Sequence, residues 1–209
     1  MNPGRLALRF VAALCLIGAL VLWQGEALMQ HLLPSIALTM DLIDRHHNVL
    51  SLDITKTGAD TVIRLEAGIR QLILTGTHVT YADPRARAVI TTPLATFWLA
   101  PTLFIALLAA WPAQRTAEWL LRALCALPAL ALLLALDAPF VLDALLWALH
   151  RDAHDPGGSS PILAWSAFLK SGGRFVLAGL LAVMLLGLTR RVTSRSACGT
   201  ERERATGAP

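Results

Sequence analysis

Four nearly unbroken apolar runs, over residues 6–23, 94–111, 119–136 and 174–188, dominate this chain. A helix needs about 20 apolar residues to cross the hydrocarbon core of a bilayer. The runs therefore predict an α-helical membrane protein with four transmembrane helices. Only 15% of the residues are charged, against about a quarter in soluble domains. The fourth run is short unless its helix begins near Ile162. Trp23, Trp98, Trp111, Trp119 and Trp165 lie at or near run ends, where amphipathic rings prefer to sit. Pro101 and Pro128 fall inside runs, where neighbouring helices can satisfy the freed backbone groups.

The start has the layout of a signal peptide, with Arg5 and Arg9 ahead of the run to Trp23. No small-x-small cleavage site follows, and Leu14 directly before Cys15 does not suit a lipoprotein box. Residues 1–34 are therefore expected to be a retained anchor.

Orientation follows from the bias of basic residues toward the cytoplasmic side. With the N-terminus inside, the inner segments gather nine arginines against three acids, a net +6. The outer segments then carry nine basic residues against eleven acids, a net −2. Both termini are expected in the cytoplasm of a bacterial inner membrane, and all six histidines outside. Arg122 reads as a side chain that snorkels to the inner interface. The basic tail, residues 190–209, has no apolar period and is expected to be disordered.

The first outer segment, residues 35–92, changes period along its length. Ile36, Met40 and Ile43 recur at helical spacing, which predicts an amphipathic helix on the membrane surface, capped by Ser35. Residues 49–55 and 61–67 then alternate around Lys-Thr-Gly-Ala-Asp, a hairpin signal. Residues 71–82 supply a third candidate strand, completing a small periplasmic antiparallel β-meander (an α+β arrangement). Val62, Leu65 and Ile54 are the expected packed side, with register open by one residue. The region 93–189 holds the other three spans and an outer loop at 137–161. Within it, residues 140–149 read as an interfacial helix or an extension of the third span.

The densest polar cluster is His-Arg-Asp-Ala-His-Asp, residues 150–155. On a continuing helix His150 and His154 share a face at i, i+4, and with Asp152 and Asp155 they form a possible zinc- or copper-type ligand set. A glutamate base at HExxH spacing is absent, and Pro156-Gly157-Gly158 ends the helix, so the favoured reading is a solvated exit loop without metal. His46-His47 could complete a site, but no spacing brings it to His150. Lys170 and Arg174 flank a glycine pair at the mouth of the last span. There an arginine either snorkels or holds a carboxylate or lipid phosphate. With Asp143, an acid near a membrane edge, these two are the candidate interaction residues.

Cys15, Cys125 and Cys198 are far apart and read as inert. No phosphate-binding loop, nucleophile elbow or dinucleotide fingerprint occurs. The inner positive charge suits anionic lipid, not nucleic acid.

The order of parts resembles the small membrane proteins associated with exosortase H. These share an N-terminal span, a short β-rich outer segment, a proline-containing span directly after it (here TTPLATFWLAPTLFIALLAAWP), a basic turn, a third span and a Trp-led last span (here WSAFLKSGGRFVLAGLLAVMLL). The resemblance implies an accessory in envelope protein sorting whose partner is an exosortase-like enzyme or its substrate. It brings no catalytic residues. The expected function is a non-enzymatic membrane scaffold in contact with lipid, without cofactor. A membrane-embedded enzyme or metal-dependent factor using the outer His/Asp cluster is the first alternative. A transporter or holin-like subunit ranks last, because no run carries a charge at its middle.

Overall fold

The computed structural model describes residues 3–58, 60–71, 73–75, 78–80, 86–113, 116–154 and 160–206. Three of its helical segments, Pro3–Ile43, Thr116–Asp152 and Pro161–Val192, are long and apolar enough to cross a membrane. A fourth apolar helix, α2 (Ala95–Ala110), has 16 residues.

The first helix, α1 (Pro3–Ile43), runs unbroken for 41 residues. At 1.5 Å per residue it extends about 60 Å, twice the bilayer's hydrocarbon core. The separate surface helix expected after residue 34 is thus the C-terminal end of α1. Pro34 is accommodated inside the helix and Ser35 caps nothing, its carbonyl accepting a 2.7 Å hydrogen bond from the Thr39 hydroxyl. The Ile36/Met40 stripe is real, but it is buried against protein instead of lying on lipid.

A three-stranded antiparallel sheet follows, in the order β1 (His47–Thr57), β2 (Asp60–Ile69), β5 (Arg87–Pro93). The β1–β2 hairpin turns at the expected Lys-Thr-Gly-Ala-Asp, with Thr57 paired to Asp60. The third strand differs from expectation. The described residues of the 71–82 stretch do not join this sheet. Their strands β3 (Ile73–Thr75) and β4 (His78–Thr80) pair with each other, doubling the segment back on itself. The β-branched run Val89–Thr92 supplies the third strand instead, Leu65 pairing with Ile90. Ile63, Leu65 and Ala67 form the fully buried face, with Leu52, Ile54, Ala88 and Ile90 beside them. Leu65 and Ile54 were read correctly. Val62 is buried but belongs to the other parity, so Ile63 takes its place in the core.

Helix α3 (Thr116–His154) absorbs both the third run and the apolar stretch that follows it, with Pro128 and Pro139 inside. Helix α4 (Pro161–Phe168) leads through a π-turn (Leu169–Gly173) into α5 (Arg174–Thr206). The last span therefore does begin well before residue 174. At the junction Gly172 takes φ 110°, a conformation that favours glycine. Gly173 lies so close to the Phe168 ring that any Cβ there would overlap it. Helix α5 continues to Thr206, through the tail expected to be disordered.

Two cores result. The first joins α2, α3 and α5 through Phe104, Leu108, Leu133, Ala178 and Ala182. The second packs the sheet against the far halves of α1 and α3, through Met29, Ile36, Met40, Val141, Leu142 and Leu146. The sheet is thus a roof seated on two helices that outrun the bundle.

Candidate metal centre at the helix–sheet junction

The turn from α1 into β1 is built on one carboxylate. Asp44 follows the last residue of α1, and its Oδ1 accepts a 2.8 Å hydrogen bond from the His46 backbone N–H. This side-chain-to-backbone closure two residues on is how Asp reverses a chain. The other oxygen, Oδ2, accepts a short hydrogen bond from His47 Nδ1. Burial alone would raise the Asp44 carboxyl, but the bonds from His47 and the His46 N–H outweigh it and bring it down to about 2.

Facing this turn, α3 presents Asp143, Trp147 and His150, which share one face at i, i+4 and i+7. Trp147 meets the rings of both His46 and His47 edge-on at 5.8 Å. The His47 and His150 rings are 5.1 Å apart between centroids. One ligand atom each from Asp44, His47 and Asp143 lies within 4.8 Å of the other two. All three residues and His150 are buried, Asp143 at 1% exposure.

Neither oxygen of Asp143, nor Nε2 of His47, has a hydrogen-bond partner among the described residues. A buried carboxylate left in this state is costly, by several kcal/mol for an ionised group with about that effective desolvation penalty. His150 is differently placed. Its Nδ1 donates to the Leu146 carbonyl at 3.0 Å.

The histidines singled out in the sequence divide accordingly. His46, His47 and His150 converge. The side chain of His154 and all of Asp155 lie outside the described residues, and so does residue 159. Asp152 is exposed and pairs with its neighbour Arg151 at 3.0 Å. Thus the cluster forms between the α1–β1 turn and α3, one helical turn and more before the polar exit stretch. Asp44 carried a sequence signal, an acid three residues before a histidine. It lacked any sign of which helix it would face.

A second buried polar group lies close by in the fold. Arg174 is 4% exposed, so it does not snorkel. Its NH1 donates to the Thr96 carbonyl at 2.6 Å, and its NH2 sits 3.3 Å from Asp137 Oδ1. Of the alternatives weighed for Arg174, the carboxylate is the one realised, and it is internal. Arg122 is also not a snorkel. It is 2% exposed, ion-paired with Glu118 and hydrogen-bonded to the Trp111 carbonyl at 2.7 Å. Lys170 is exposed. The long apolar helix α3 does carry buried acids, Asp137 and Asp143. The neighbouring Ala138, Val141 and Leu142 pack in the core shared with the sheet, so these acids belong to the layer under the roof. Cys15 and Cys125 are free thiols.

Fold and site together describe a mostly helical protein with three helices long and apolar enough to cross a membrane, roofed by a small sheet, with a buried His/Asp cluster where roof and helices meet. No protein-family model, curated protein or solved structure matches the chain.

Proposed function

We propose that this chain is a multi-pass accessory protein of a bacterial inner membrane, a non-enzymatic scaffold for an exosortase-type envelope sorting machine. In this reading α2 completes a set of four spans, both termini are cytoplasmic, and the sheet and His/Asp centre face outward. Arg122 and Arg190 both meet Trp111 just past the end of α2, the end that this orientation puts inside. Arg190 there lies over the Trp111 ring at 5.1 Å.

The observation that carries the scaffold reading is the surface of α1. Only 6% of its spanning stretch is buried within the chain, and Leu16, Leu22 and Trp23 are more than two-thirds exposed. Beside it, a groove of about 590 Å³ between α1 and α2 is lined by Leu14, Gly18, Val21, Gly25, Trp98 and Leu103. Small residues along such a groove let a partner helix approach closely. The sheet also ends in two edge strands, β1 and β5, each available for strand addition.

Photo-crosslinking tests the proposal in native membranes. A benzophenone amino acid replacing Leu22 should give one discrete protein adduct, identifiable by mass spectrometry as a component of a sorting enzyme. Adducts to lipid alone would overturn it.

A further inference from the structure

We propose that Asp44, His47 and Asp143 bind a divalent first-row metal ion of the zinc class. The inference is independent of the partner that the spans engage.

Three observations converge on it. The first is geometric. The three donor atoms lie within 4.8 Å of one another. Donors held about 2.0–2.2 Å from a tetrahedral zinc ion sit closer together than this, so small side-chain rotations close the set. The second is the state of Asp143, whose two oxygens accept no hydrogen bond from any described residue at 1% exposure. A carboxylate so buried needs a cation or a donor. Its nearest ionisable neighbours are Asp44, another acid, and His47, whose Nδ1 is already directed to Asp44. The third is charge. With both carboxyls deprotonated to coordinate and the imidazoles neutral, the set carries −2, which a divalent ion balances and a single imidazolium does not.

The donor chemistry narrows the ion. Imidazole nitrogen disfavours calcium and magnesium, which take oxygen ligands, and the absence of thiolate disfavours copper(I). Zinc, manganese and iron(II) accept mixed nitrogen and carboxylate sets. Binding would displace the proton that His47 shares with Asp44, since ligands coordinate in their deprotonated form.

The experiment uses the full chain in detergent, purified through a tag that does not bind metal. It is stripped with chelator, reloaded with Zn²⁺ or Co²⁺, and assayed for bound metal after gel filtration. The expected result is one ion per chain, with visible d–d absorption for Co²⁺. Asp143→Asn and His47→Gln should each lower retention at least tenfold, while Asp152→Asn, at an exposed position on the same helix, should leave it unchanged. Should either site variant fail to elute as a folded species, the other variant and wild-type stoichiometry decide. Absence of retained metal in wild-type protein would overturn the proposal, as would stoichiometric retention in a folded Asp143→Asn or His47→Gln variant.

Discussion

Asp143 on α3 and His47 at the start of β1 meet in a buried cluster, with ligand atoms within 4.8 Å, although nearly half the chain separates them. Their meeting depends on one packing event, the docking of the sheet on the far halves of α1 and α3. Ile63, Leu65 and Ala67 on the sheet, Met40 on α1 and Leu142 and Leu146 on α3 form that interface. The same apolar contact that buries the sheet thus assembles the polar centre at its rim.

That dependence can be measured. Ile63 is fully buried, and Ile63→Ala should destabilise the protein by about 2–5 kcal/mol. Val89→Ala, on a side chain 47% exposed in β5, should stay within about 0.5 kcal/mol of wild type. Chemical denaturation in detergent, followed by tryptophan fluorescence, reports both. Equal losses at the two positions would mean that the sheet is not seated as described.

Arg174 and Asp137 form the second buried connection, between the π-turn and α3. Removing one partner of a buried pair leaves an uncompensated charge and costs about 3–5 kcal/mol. Arg174→Ala should therefore be strongly destabilising. The double variant Arg174→Met with Asp137→Asn should lose less than Arg174→Ala alone. Additive losses in the double variant would show that the two side chains do not act as a pair.

Orientation is open to a labelling test. In a variant lacking Cys15, Cys125 and Cys198, Lys56→Cys places a thiol on the exposed β1–β2 hairpin. A membrane-impermeant maleimide should label it in intact cells. Labelling only after membrane rupture would place the sheet in the cytoplasm and reverse the proposed topology.

What the sequence made legible was local. The apolar runs marked the long helices, and Lys-Thr-Gly-Ala-Asp marked the hairpin, because each signal lies within one element. The alternation of β2 likewise placed Leu65 in the core. The third strand was misread because residues 71–82 and 87–93 both carry β-branched patterns, and only the pairing of Ile73 with Thr80 reveals that the first folds on itself. The continuity of α1 was hidden by Pro34, usually a helix breaker, which here sits in a helix supported by burial of Ile36 and Met40. Arg122 and Arg174 look like interface residues by position. Their partners, the Trp111 carbonyl with Glu118 and the Thr96 carbonyl with Asp137, are set by helix packing. The His/Asp cluster was the least legible feature. Asp143 and His150 share a helical face, but only the fold sets Asp44 and His47 opposite them.

X-ray absorption of the Zn²⁺-loaded full chain tests the metal centre most directly, because it reads the ligands themselves. The expected spectrum has a nitrogen/oxygen shell at about 2.0–2.1 Å with the multiple scattering of imidazole, diminished in His47→Gln. A shell of oxygen alone, without imidazole scattering, would contradict a site built on His47 and Asp143, and so would a sulfur scatterer from a cysteine.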